Sequence, residues 1–155
     1  MDDGATLTGN GTVGQLIALE RAVVAPGNSA GILTTAAFDL QSDSVLRLEL
    51  GDTTAGGLTG FDQVRSAGVT LGGELQVSLS LGWTDTIGST FAIILNSSTL
   101  TGQFSNGASV STLDGRVFDI NYGVDFDSVG GNNDVTLTLM AVPEPNSLAM
   151  LAGSL

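Results

Sequence analysis

The sequence predicts an all-β protein, and three observations lead to that prediction. Apolar and polar residues alternate with a period of two in several stretches, which is typical of strands with one buried face. Clusters of Gly, Asn, Asp and Pro separate these stretches at intervals of roughly 8–12 residues. The chain of 155 residues also contains 22 Gly, a composition that suits a β protein with many tight turns.

The strands are predicted in chain order. Residues 13–23 have spacings that fit a helix as well as a strand, and we predict a strand. Further strands are predicted where apolar residues alternate, at residues 32–40, 46–50, 91–95, 118–122 and 135–141. In the first of these, one buried face is expected to contain Ile32, Thr34, Ala36, Phe38 and Leu40.

The clearest alternation covers residues 69–81. Its polar residues fall on one side, and its apolar residues are predicted to form a buried face on the other. Gly72 and Gly73 interrupt the pattern, and such a pair is expected to bend or bulge the strand into two segments. The predicted buried face contains Val69, Leu71, Leu75, Val77, Leu79 and Leu81.

Composition limits the functions that the chain can have. It carries 16 acidic residues against four basic ones, for a formal net charge of -12, which argues against nucleic acids and anionic lipid surfaces as partners. Cys and His are absent, so disulfides and the side chain most used for proton transfer near neutral pH are absent too. We therefore predict one all-β domain over residues 1–142 that is not an enzyme and needs no cofactor.

One acidic loop is the best candidate for a metal site. Asp125, Asp127 and Asp134 lie close together in the sequence among Gly and Asn residues, and hard cations such as Ca²⁺ prefer several carboxylate and carbonyl oxygens in one loop. Val129 stands where an EF-hand loop needs Asp or Asn, and no Glu closes the loop. The alternative is a turn in which Asn and Asp side chains bond to their own backbone.

Trp83 and Asp85 form a candidate carbohydrate site. They belong to a turn of the sequence Gly-Trp-Thr-Asp, and an aromatic ring beside polar partners is a common platform for a sugar. The alternative is a loop aromatic that covers the edge of the core.

The chain end carries a recognisable motif. Pro143, Glu144 and Pro145 precede an apolar run at residues 148–155, and this order resembles the PEP-CTERM sorting signal of exported bacterial proteins. The resemblance implies export to the cell surface or beyond, and it implies a membrane exosortase as partner. A spanning helix needs about 20 apolar residues, so we expect residues 143–155 to be a truncated sorting tail that does not insert into a membrane.

The body of the chain resembles autotransporter-like passenger β-helices over residues 25–142. The blocks that match in order are PGNSAG at 26–31, FDQV at 61–64, GVTLGGEL at 68–75, GSTFAIIL at 88–95, LTGQF at 100–104, NYG at 121–123 and NDVTL at 133–137. The insert at residues 65–67 and Trp83 depart from the pattern. The resemblance implies the end segment of a right-handed parallel β-helix, although a β-sandwich stays an alternative because no fixed repeat is visible.

Two functions follow as expectations. The first is a non-catalytic structural or matrix-associated protein of the cell surface that carries an exosortase-type sorting signal. The start of the chain, Met1 to Gly4, has no apolar segment of a signal peptide, so we expect the chain to be the C-terminal piece of a longer secreted protein. The second function is a carbohydrate-binding module that acts on exopolysaccharide.

Overall fold

Alternating side chains and tight turns produce strands and no helix in the part of the chain that the computed structural model describes, residues 1–84 and 86–144. No helix in this part has the length and hydrophobicity needed to cross a membrane. The strands are β1 Thr6–Gly9, β2 Gly11–Ala18, β3 Val23–Pro26, β4 Ile32–Leu40, β5 Val45–Leu50, β6 Gln63–Ser66, β7 Val69–Leu71, β8 Glu74–Leu79, β9 Thr90–Asn96, β10 Leu100–Gly102, β11 Ser109–Ser111, β12 Val117–Val124 and β13 Asp134–Ala141.

Two sheets contain these strands. In the first, the order is β1-β3-β5-β8 and every neighbouring pair is parallel. In the second, the order is β10-β7-β4-β6-β9-β13-β12-β11, and β2 pairs with β4. That sheet is parallel from β10 to β9 and antiparallel from β9 to β11. The all-β prediction is therefore confirmed, and the larger sheet is mixed.

The core is built from columns of aliphatic side chains that stack from strand to strand. In the second sheet, Leu33 pairs with Val64, Val64 with Ile94, and Ile94 with Val135, and all four are buried. In the first sheet, the corresponding column consists of Val24, Leu46 and Leu75, preceded by the half-buried Leu7. Burying one such side chain contributes about 1.5–3 kcal/mol, so these columns are a main source of stability.

The predicted buried face at residues 69–81 is confirmed for four of its members. Val69, Leu71, Leu75 and Val77 are buried, whereas Leu81 is fully exposed because β8 ends at Leu79 and Leu81 lies in the following turn.

The paired glycines divide this stretch as the sequence predicts. They separate β7, in the larger sheet, from β8, in the smaller one. A Cβ on Gly73 would collide with the backbone carbonyl of Ser44, so the chain can pass from one sheet to the other there only without a side chain.

The predicted face of β4 is wrong in its first half. Leu33 and Thr35 point inward instead of Ile32, Thr34 and Ala36, and the predicted Phe38 and Leu40 are buried. The reason is a change of neighbour within the strand, since β4 pairs with β6 through Thr35 and with β7 from Phe38 onward. Side chains on one face of a regular strand are an even number of residues apart, whereas the buried Thr35 and Phe38 are an odd number apart. The inward face therefore shifts by one residue between them. The strand predicted at residues 13–23 is confirmed for residues 13–18, which belong to β2, whereas residues 19–22 form a turn and Val23 begins β3.

A buried carboxylate ties the two sheets together. Asp62, only 4% exposed, accepts the backbone N–H of Gly31 at 2.7 Å and that of Glu49 at 2.7 Å. Gly31 precedes β4 of the larger sheet, and Glu49 belongs to β5 of the smaller one. Burial raises the pKa of Asp62 to about 6, although the two N–H donors act in the opposite direction.

The register of β8 generates a test with a matched pair of substitutions. Val77 is 8% exposed and its neighbour Ser78 is exposed, so we expect Val77→Asp to lower the free energy of unfolding by roughly 3–5 kcal/mol through an unpaired buried charge. Ser78→Asp should change it by less than about 0.5 kcal/mol. Urea unfolding measures both variants, and equal unfolding midpoints would mean that the register is wrong by one residue.

The buried Asp62 generates a test against pH. Its pKa is raised from 3.8 to about 6, so the stability that it contributes is present below pH 3.8 and is lost as the pH rises through 6. We expect the free energy of unfolding to fall between pH 4 and pH 7, and to fall less steeply in Asp62→Asn. At pH 7 this variant should lose about 1–3 kcal/mol, since an amide nitrogen cannot accept the second N–H.

The control for this pH measurement is Asp43→Asn, which removes the same charge from an exposed turn position. If Asp62→Asn had the same pH slope as the parent, or if Asp43→Asn flattened the slope as much as Asp62→Asn does, the buried titration would be refuted.

Candidate functional site

The acidic loop between β12 and β13 brings its three predicted carboxylates together. One oxygen from each of Asp125, Asp127 and Asp134 lies within 4.8 Å of the others. The chain can fold back over this short loop because Ser128, Gly130 and Gly131 adopt left-handed backbone conformations, with φ of 63°, 77° and 86°. The first two aspartates are exposed and Asp134 is fully buried.

The hydrogen bonds of the loop show what its carboxylates do. Asp134 accepts the N–H of Asn96 at 2.8 Å and that of Phe126 at 2.9 Å. Asp127 accepts the N–H of Val129 at 2.8 Å, which closes an Asx turn. These hydrogen bonds are those of a turn closed by its own carboxylates, and Asp134 fastens the loop to β9. A calcium ion takes 6–8 oxygen ligands, which include carbonyl oxygens and waters besides carboxylates, so calcium binding by this loop stays a prediction.

A polar network extends from this loop into the core. The side-chain N–H₂ of Asn96 donates to the carbonyl of Thr99 at 2.9 Å, and that of Asn133 donates to the carbonyl of Ser98 at 2.8 Å. Asn133 is buried, and its side-chain oxygen is the one buried side-chain polar atom of the described chain without a hydrogen-bond partner. The sequence pattern had suggested only a turn at Asn133, because a single Asn gives no sign of burial.

Trp83 covers the edge of the core. Its ring lies 5.5 Å from that of Phe91 at a tilt of 34°, and 6.0 Å from that of Phe118 in an edge-on contact. The residue is half-buried, so part of the indole stays accessible from outside. Asp85, its predicted partner, lies outside the described residues.

A cavity of about 360 Å³ opens beside Trp83. Among the described residues, hydroxyl groups and one carboxylate surround it, from Asp52, Thr53, Thr59, Ser80, Thr84 and Ser89. Asp52 accepts the hydroxyl of Thr59 at 2.7 Å and the N–H of Thr54 at 2.8 Å, and these bonds lower the pKa of Asp52. The cavity therefore combines an aromatic surface with an ionised carboxylate and several hydroxyls.

The sequence did not reveal this arrangement. Gly51 and Asp52 have the pattern of a turn, and Thr59 belongs to a Gly-rich stretch without alternation. Only the pairing of β5 with β8 places the turn after Leu50 next to the turn after Leu79.

The segment that starts with Pro143 and Glu144 begins where the last strand stops. β13 ends at Ala141, Val142 packs against the core, and Pro143 and Glu144 are exposed. Pro cannot donate a backbone hydrogen bond, so the ladder cannot continue through Pro143. Pro145 and the rest of the predicted tail lie outside the described residues.

Comparison with known proteins does not assign the chain to a family. No protein-family model matches it, and no curated protein matches it either.

Proposed function

We propose that the chain is a non-catalytic structural segment of an exported cell-surface or matrix protein, and that it forms the end of a right-handed parallel β-helix. The observation that carries this proposal is the series of parallel strand pairs in both sheets. β1 to β5 alternate between the sheets, and β3, β4 and β5 each stack in register on the strand two places earlier in the chain. Such stacking is the construction principle of a solenoid, whereas β-sandwiches are built from antiparallel sheets.

The antiparallel strands support the idea of an end segment. β11, β12 and β13 follow the parallel strands in the larger sheet and pair antiparallel to one another. Solenoids need an atypical terminal unit that stops the stacking, and these strands are suited to that role. Hydroxyl pairs also link neighbouring strands, as between Thr90 and Thr138 at 3.2 Å. Such pairs between stacked strands support the proposal of a structural segment.

The sorting role rests on the place of the motif. Pro143 and Glu144 are exposed directly after the last strand, so a membrane exosortase can reach an extended segment there without unfolding the domain. In this proposal, residues 143–155 are the sorting signal and the folded domain is the protein that is sorted.

Processing in a bacterium tests this function. The chain is exported through a fused signal peptide in an exosortase-containing host and in an isogenic exosortase deletion, and the C-terminal residue is identified by mass spectrometry. We expect trimming near residues 143–145 in the first host only, and we expect Glu144→Ala to reduce it at least about tenfold, by analogy with loss of a recognition contact. Glu20→Ala, at an exposed turn, is the control. Identical C-termini in both hosts would exclude the sorting role.

A carbohydrate-binding module is the second candidate function, and the cavity beside Trp83 favours it. Sugar rings bind through stacking on an aromatic surface and through hydrogen bonds to their hydroxyls. Trp83 supplies the first, and Asp52 with its neighbouring hydroxyls supplies the second. Exopolysaccharide is the corresponding ligand class.

Glycan-array binding tests the second function. Any glycan that binds the parent should bind Asp52→Asn at least about tenfold more weakly, since a charge-assisted hydrogen bond is lost. Trp83→Ala should lose binding as well, but it also removes contacts with Phe91, so its unfolding midpoint must be measured alongside. Asp43→Asn serves as the control at an exposed site away from the cavity lining. Absence of binding to every glycan on the array would refute this candidate.

A further inference from the structure

Two sheet edges face one groove. β8 is the last strand of the smaller sheet, and β11 is the last strand of the larger one, within the described chain. Between them lies a groove of about 540 Å³, lined on one side by Glu74, Gln76 and Val77 and on the other by Ser109 and Ser111. Sheet edges carry backbone donors and acceptors, so the chemistry of this groove depends on which groups face it.

The hydrogen bonds with neighbouring strands identify those groups on β8. Glu74 donates its N–H to Ser44 and Ser80 donates its N–H to Leu50, both toward the β5 side. Backbone groups alternate in direction along a strand, so Gln76 and Ser78 also face β5, whereas Val77 and Leu79 face the groove.

The same argument applies to β11. Ile120 donates its N–H to Ala108, and Thr112 donates its N–H to Arg116. Residues 108, 110 and 112 therefore face β12, and the backbone groups of Ser109 and Ser111 face away from it. Both walls of the groove thus present peptide groups.

The chain itself already begins to cover the β8 edge. Ser105 donates its N–H to the carbonyl of Gly73 at 2.9 Å. One step further, the side-chain amide of Asn106 accepts the N–H of Leu75 at 2.7 Å and donates to its carbonyl at 3.0 Å. An amide group thus contacts Leu75 as the peptide group of a neighbouring strand would. The chain then turns away at Gly107, which has φ of 74°, and leaves the edge open from Val77 onward.

We propose that this groove binds an extended, cationic segment of a partner protein, which continues along β8 the pairing that Ser105 and Asn106 begin. Strand addition of this kind draws its affinity from backbone hydrogen bonds. On the groove wall, Gln76 accepts a hydrogen bond from Arg47 at 3.4 Å and donates one to Glu74 at 3.4 Å. The charge of the segment follows from the charge of the chain as a whole, which is -12. Such a field favours a basic partner and disfavours a second copy of this chain.

Labelled peptides test the proposal. The probe is an acetylated and amidated peptide of sequence KVTVTVK, and binding is followed by fluorescence anisotropy. We expect binding that weakens at least about tenfold when salt rises from roughly 50 to 500 mM, because the attraction is partly electrostatic. The acidic peptide EVTVTVE should bind at least about tenfold more weakly. Glu74→Gln should reduce the affinity for KVTVTVK, and Glu20→Gln, which removes one negative charge equally at an exposed turn, should reduce it less.

Two isomeric N-methylated peptides test the backbone pairing. One carries methyl groups on the amides of two of its Val residues and the other on those of its two Thr residues, so each blocks one edge of the strand while charge and composition stay the same. We expect at least one isomer to lose binding about tenfold or more. Equal binding of both isomers and of the unmethylated peptide would overturn the proposal.

Amide exchange measured by NMR locates the peptide. We expect slower exchange on peptide addition at Val77 and Leu79, and little change at Gln76 and Ser78, whose amides face β5. This alternation distinguishes strand addition from a general gain in stability. Protection that falls outside β8 and β11, self-association in place of peptide binding, or the same protection produced by a neutral oligosaccharide would each overturn the proposal.

Discussion

Parallel strands can pair only if the chain leaves the sheet and returns to it, and this constraint governs the whole structure. Each return passes through a corner whose buried backbone groups need partners. Asp62 supplies them where the two sheets meet, and Asp134 supplies them where β9 meets the last loop. The aliphatic columns stabilise the strands once they are stacked, but the two buried carboxylates hold the corners that make stacking in this register feasible.

This use of polar groups explains why the acidic loop looks like a metal site in the sequence. Carboxylates that close turns occur among the same Gly and Asn residues as carboxylates that bind cations. In the structure, Asp134 is turned inward to Asn96 and Phe126, and Asp127 bonds to Val129. Polar surface accessible to a ligand also lies beside Trp83 and along the edge of β8.

A stack of parallel strands always leaves edges, and edges invite unwanted pairing. Here the side chain of Asn106 covers part of one edge, and a net charge of -12 keeps copies of the chain apart. The same two features select a partner. The edge of β8 can pair with the peptide groups of another strand, and the negative charge of the chain attracts a basic strand more strongly than an acidic one. Protection against aggregation and preference for a ligand thus have a common physical origin.

The sequence by itself determined the all-β class, most of the strand positions and the buried face of Leu46, Leu48 and Leu50. These depend on local alternation, which a strand converts directly into an inner and an outer face. Tertiary structure alone decided the inward face of β4, because the strand changes neighbours after Thr35. It also decided the burial of Asp62, whose partners Gly31 and Glu49 are remote in sequence. Pairing between distant strands sets both, and alternation carries no information about which strands meet.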